Sequence, residues 1–179
     1  CIFTVQEEIG LKGAAELDAS VLSAWTLINL DGGPFGTAVV SCAGGMRCSL
    51  TKQVISSVVP SVYAYPLHIA IRGLEGGHSG TDIHRGRGNS IKLLGRVLLR
   101  LLLELPTMEI SYVQGGAKDN AIPRESEAVI IFVSEGDRTK AEKIIEELKE
   151  QIGNELSQTD PSFDIETEKA KISGLTSIG

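Results

Sequence analysis

Aromatic side chains are scarce, at 4% of 179 residues. A core built from this chain must therefore be filled by Leu, Ile, Val and Ala, with large rings playing little part. Cysteine is sparse as well. Cys1, Cys42 and Cys48 form an odd set without framework spacing, which excludes a disulfide scaffold and reads as reduced intracellular thiols. No C-x-x-C pair is present, so a zinc knuckle is excluded. Positive charge falls short too: Lys and Arg number 17 against 23 Asp and Glu, for a formal net charge of −6. Phosphate recognition needs clustered Lys and Arg, so nucleic acid is not an expected partner. The short basic segment His84-Arg85-Gly86-Arg87 does not reverse that balance. The most apolar stretch, Ile91 to Leu105, carries Lys92, Arg96, Arg100 and Glu104 at four-residue spacing. It reads as an amphipathic helix and not a bilayer span. No signal-peptide pattern opens the sequence. The expected location is the cytoplasm, with no membrane partner.

What remains is ordinarily globular, with 42% hydrophobic and 22% charged residues, and shows no internal repeat or low-complexity run. Residues 1 to about 60 read as apolar strands punctuated by glycine: Cys1 to Val5, Trp25 to Leu30 and Thr37 to Cys42, with a short helical segment at Gly13 to Leu17. Val58 to Pro66, with two prolines, reads as a domain crossing. Beyond it the pattern is regular. Leu67 to Gly73 alternates as a strand. Asn89 or Ser90 can cap a helix running to about Leu105, with Ile91, Leu94, Val97, Leu98, Leu101 and Leu102 inward. Met108 to Val113 and Glu127 to Ser134 are strands. Asp137 can cap a second helix, with Ala141, Ile144, Ile145, Leu148 and Ile152 at helical spacing, and Phe163 to Lys169 is a last strand. This β-α-β-β-α-β order predicts a ferredoxin-like α/β module, an antiparallel four-stranded sheet with both helices on one face.

Three constellations can carry chemistry. The first is Glu7-Glu8, two carboxylates where a predicted strand ends, with Asp31 in an equivalent place after the next strand. Clustered oxygen ligands suit a hard or borderline cation, and one carboxylate can move a proton while another binds metal. A solvated acidic pair is the plainer explanation. The second is Gly73-Leu74-Glu75-Gly76-Gly77-His78-Ser79-Gly80, a loop whose backbone can approach a ligand closely and whose imidazole can donate to an oxyanion. A flexible turn with an incidental histidine is its alternative. The third is Asp119-Asn120-Ala121-Ile122-Pro123-Arg124-Glu125, where Asn120 can donate to a carbonyl and Arg124 can clamp a carboxylate. Its alternative is a proline turn between strands.

Taken in order, Thr4-Val5-Gln6-Glu7-Glu8-Ile9-Gly10, Leu27-Ile28-Asn29-Leu30-Asp31, Ser41-Cys42-Ala43-Gly44-Gly45, Gly76-Gly77-His78-Ser79-Gly80 and Asn120 to Glu125 resemble one family. It is the aminoacyl-histidine dipeptidases (carnosine-type Xaa-His dipeptidases) of the two-zinc exopeptidase superfamily. The resemblance covers nearly the whole chain. It implies zinc-dependent hydrolysis of small peptides at a site holding two zincs. By it, Glu7 is the general base on the zinc-bound water, Glu8 ligates one zinc and Asp31 the other. Its lid domain, inserted in the catalytic domain, forms the homodimer, and the lid histidine, His78, reaches the partner's site to stabilise the tetrahedral intermediate. Asn120, with Arg124, contacts substrate. The implied division is a partial catalytic α/β domain over residues 1–62 and a ferredoxin-like lid over residues 63–179.

The family also requires an upstream His-x-Asp, a bridging Asp and a downstream His. The histidines here are His68, His78 and His84, and none is followed two residues later by Asp. Those ligands are expected outside residues 1–179. The chain is therefore expected to be an internal fragment that neither hydrolyses peptides nor holds two zincs by itself. Competing expectations are a non-catalytic ferredoxin-like dimerisation module, and a sister deacylase or tripeptidase with the same lid.

Overall fold

The computed structural model describes residues 2–7, 10–26, 28, 30, 35–41, 44, 46, 48–59, 62–170 and 176–178. The chain divides into two units, Cys1–Leu50 and Thr51–Gly179. In the first, a single helical turn α1 (Lys12–Ala15) follows a tight turn in which the Gly10 and Leu11 amides donate to the Glu7 carbonyl. A 3-10 turn at Ala19–Val21 is capped by Asp18, whose carboxylate accepts from the Ser20 amide at 2.9 Å. The predicted strands at 1–5, 25–30 and 37–42 do not form among the described residues. An apolar run becomes a strand only when a neighbouring strand takes up its backbone donors and acceptors. Here Phe3, Trp25 and Phe35 stand exposed, with nothing from the described residues packed over them.

The second unit contains the ferredoxin-like module. Its strands are β1 (Ser56–Val58), β2 (Tyr65–Arg72), β3 (Gly77–His78), β4 (Glu109–Gly115), β5 (Ala121–Ile122), β6 (Ser126–Phe132), β7 (Asp164–Lys169) and β8 (Thr176–Ile178). The helices are α2 (Ser90–Glu104) and α3 (Glu135–Leu156). In the main sheet the order is β1-β8-β4-β6-β2-β7 with antiparallel neighbours, while β3 and β5 form a separate ribbon. The central β4-β6-β2-β7 run is the ferredoxin-like order. The short strands β1, β3, β5 and β8 were not legible as periodic runs, because two or three residues carry no period.

Alternation in β2 sends Leu67, Ile69 and Ile71 to one face, and pairing with β6 sets Ile130, Ala128 and Ser126 opposite them. On this face lie α2, through Leu94, Val97 and Leu101, and α3, through Ala141, Ile144, Ile145, Leu148 and Ile152, in one core. Burying each such Leu, Ile or Val contributes about 1.5–3 kcal/mol. Two sequence expectations need correction. Ile91 and Leu102 remain about half exposed (50% and 46%), because the apolar arc of α2 is wider than the sheet and α3 cover. The cap of the second helix is Ser134, whose Oγ accepts from the Asp137 amide at 3.0 Å. Asp137 is instead its reciprocal partner, its carboxylate accepting from Ser134 Oγ at 2.8 Å, in the manner of a capping box. Among the described residues no helix is long and apolar enough to cross a membrane.

The opposite sheet face carries a polar cluster beside the buried apolar residues Ala70 and Ile131. His68 lies between two carboxylates, its Nε2 3.2 Å from Glu127 and its Nδ1 3.2 Å from Glu168, and Arg72 donates to the same Glu127 oxygen at 3.1 Å.

Candidate functional site

The Gly-rich segment after β2 folds back as the β3-β5 ribbon, which pairs His78 with Ala121 and Gly77 with Ile122. Ser79 donates its amide to the Asn120 carbonyl at 2.9 Å. The fold thus brings together residues 42 positions apart in sequence, His78 and Asn120, both exposed, at one end of the ribbon. Sequence spacing alone did not show this juxtaposition.

The imidazole of His78 is held from one side. Its Nδ1 accepts from the Gly80 amide at 3.0 Å and from the Thr81 amide at 3.3 Å. An acceptor Nδ1 leaves the ring hydrogen on Nε2, so the ring presents an N–H donor away from the loop. Gly80 leaves the ring room: a Cβ there would stand 3.2 Å from Nδ1 and Cε1, close enough to push the imidazole by a few tenths of an ångström. The backbone of His78 is tied down separately, its amide donating to Asp82 Oδ2 at 2.9 Å. That hydrogen bond, aided by Arg85 at 3.0 Å, holds the Asp82 carboxyl below the usual range.

Arg124 joins the same end. Its Nε donates to the Leu74 carbonyl at 2.9 Å, and its stem lies against Gly76, where a Cβ would meet Arg124 Cγ at 2.3 Å. Gly76 also has φ of 64°, a left-handed conformation in which a side chain is strained. With Nε committed, the terminal nitrogens are the part of Arg124 placed to meet a carboxylate. Two hollows flank the ribbon and share Gly116, Ala121, Ile122 and Pro123 as a wall. One, of about 460 Å³, has Arg72, Arg124, Glu125 and Glu127 on its lining. The other, of about 470 Å³, has Ser79, Arg87, Lys92 and Lys118.

The remaining candidates belong to the first unit or fall outside the described residues. Glu7 belongs to the first unit, where its side chain is exposed and its carbonyl closes the turn before α1. Glu8 and Asp31 lie outside the described residues. Among the described residues no group of three or more His, Cys, Asp or Glu side chains is gathered to hold a metal ion. The described donor set therefore does not fit a zinc site by itself.

A family model described as the peptidase dimerisation domain of the M20 group matches residues 69–160. The chain is 35% identical over 163 residues to the cytosol non-specific dipeptidase of Escherichia coli (strain K12), covering 90% of this chain and 33% of that protein. Its fold resembles that of the aminoacylhistidine dipeptidase from Vibrio alginolyticus, with a TM-score of 0.71 and 25% identity, covering 97% of this chain and 35% of that one. The chain thus spans about a third of the length of the relatives it matches.

Proposed function

We propose, for a chain that belongs to the M20 peptidase dimerisation domain family, that it supplies the lid and part of the catalytic half of a cytoplasmic dipeptide hydrolase. Residues 63–179 are the lid and residues 1–62 the catalytic portion. The observation that carries this reading is the pair of backbone amides that donate to Nδ1 of His78; an acceptor Nδ1 implies the tautomer with Nε2–H as a preorganised donor. A donor fixed before the reaction stabilises charge as it develops on the peptide carbonyl oxygen, and does so without reorganisation at the moment of attack. In this reading Asn120, next to the paired ribbon, holds the substrate's carbonyl end and the terminal nitrogens of Arg124 hold its carboxylate end. The substrate class, dipeptides, is supported by the names of both relatives, and the narrower Xaa-His type by the name of the Vibrio alginolyticus one.

Zinc is the metal this reading carries. Glu8 and Asp31 are proposed ligands and Glu7 the proposed base. Further ligands come from the rest of the hydrolase. The second copy is proposed to dock on α2. Its outer surface exposes Ile91, Leu99, Leu102 and Leu103, and Val113 of β4 is 48% exposed on the same helix-bearing side of the sheet.

The test is kinetic. In the full-length hydrolase carrying this sequence, His78→Ala should lower kcat on an Xaa-His dipeptide by about 10²- to 10³-fold, as for loss of an oxyanion donor. KM should change little. A variant with wild-type kcat would remove His78 from the reaction.

A further inference from the structure

We propose that Asp160 is a positioning residue for His78, its buried carboxylate pinning both ends of the loop that carries the imidazole. This rests on the reading of His78 as an oxyanion donor. Asp160 follows α3 in the turn after Leu156, to whose carbonyl its amide donates at 2.8 Å, and it is 1% exposed. One carboxylate oxygen, Oδ1, accepts from the Glu75 amide at 2.9 Å, and the other, Oδ2, accepts from the Gly88 amide at 2.8 Å. Glu75 lies three residues before His78, and Gly88 immediately before Asn89, the cap of α2. Everything between them, including β3, the 3-10 turn Ile83–Arg85 and the histidine, is a loop closed at its base by one side chain. Inside that base, Arg87 donates to the Gly76 carbonyl and so draws the same two strands of the loop together.

A buried carboxylate here carries an electrostatic cost that its two hydrogen bonds must offset. A carboxylate just past the C-terminal end of a helix faces the negative end of the helix dipole. Buried charge is costly unless paired, and no Lys, Arg or His forms an ion pair with Asp160 among the described residues. An apolar residue would fill the space at lower cost but would leave two backbone amides without acceptors. A single planar carboxylate does what no neutral side chain of that size does: it accepts at two points whose separation it fixes. That separation sets where the ribbon emerges, and with it the direction of Nε2–H.

The experiment has two arms. On this chain, hydrogen exchange and ¹⁵N spectra of the ring would be recorded for wild type, Asp160→Asn and Asp160→Ser. Each variant leaves one amide without its acceptor, so exchange at Glu75 or Gly88 should rise by about 10-fold or more. The His78 ring should also lose its single Nε2–H signature as the Gly80 and Thr81 donors shift. On the full-length enzyme, Asp160→Asn should lower kcat by about 10- to 100-fold while KM moves by less than about 3-fold. In a His78→Ala background the same change should cost less than about 2-fold further, because Asp160 acts through the imidazole. Multiplicative losses in the double variant would overturn the proposal, since a merely structural residue behaves that way. Wild-type exchange at Glu75 and Gly88 in both variants would overturn it independently of catalysis. If His78→Ala keeps wild-type kcat, the donor reading fails, and the exchange arm shows separately whether Asp160 pins the loop.

Discussion

Glu127 occupies the polar face of the sheet where it receives Arg72 and His68 of β2, while His68 turns its other nitrogen to Glu168 of β7. Burial pulls the Glu127 carboxyl upward, but hydrogen bonds from Arg72 and His68 outweigh it and hold the group below its usual value. A carboxyl held down in the folded state adds stability above its unfolded value, and that stability drains away as pH falls through the depressed value. Glu127→Gln should therefore be less stable than wild type near neutrality. The gap should close as pH drops below the ordinary carboxylate range. Urea unfolding at stepped pH measures this, and a gap that widens toward acid would contradict it. Residues differ in how readable they are before the fold is known. His78 stands out because glycines flank it, whereas Asp160 sits in an unremarked turn and finds its Gly88 partner 72 positions away. A carboxylate's partners are set by tertiary approach, which local sequence does not encode.

At the scale of elements, α2 shows where periodicity suffices and where it stops. Its polar and apolar spacing predicts a helix capped by Asn89 or Ser90 and running to about Leu105; the helix spans Ser90–Glu104, with Asn89 accepting from the Lys92 amide at 3.1 Å. Helical hydrogen bonds are local, so the segment carries its own instructions. The same holds for α3, whereas the longer strands are legible through the alternation that one buried sheet face imposes. Residues 1–50 fail for the complementary reason: a strand's bonds are made to another strand, and an apolar run predicts extended chain without naming its neighbour. Periodicity also could not say how much of the α2 arc the sheet would cover. Leu101 is fully buried and Leu103 is 72% exposed, although both belong to the same leucine run. Leu101→Ala should cost about 2–5 kcal/mol in urea unfolding. Leu103→Ala should stay within about 0.5 kcal/mol of wild type in the monomeric state. Equal losses would mean that the helix is rotated from the orientation described.

For the whole molecule, the uncovered part of that arc is the more informative half. Ile91, Leu99, Leu102 and Leu103 line the outer side of α2, on a chain whose described aromatic and aliphatic core is already complete without them. Apolar side chains grouped on one element and left in water favour association when a matching surface is present. Two copies related by a two-fold axis provide such a match automatically, since the same patch meets itself. Both arginines of α2 are paired within the protomer: Arg96 with Glu155 of α3, and Arg100 with Glu104 one turn on. Pairing within the protomer keeps these guanidinium groups from confronting their symmetry mates unpaired. Leu99→Glu combined with Leu102→Glu places like charges at the centre of the proposed contact, where each would be buried against its copy. The double variant should elute as a monomer in size exclusion with light scattering at concentrations where the wild-type chain is a dimer. Its unfolding transition in dilute solution should be little changed, because neither residue contributes to the core. A dimer that persists in the double variant would move the interface elsewhere on the lid, to an edge strand of the main sheet. It would leave the α2 stripe without its proposed partner.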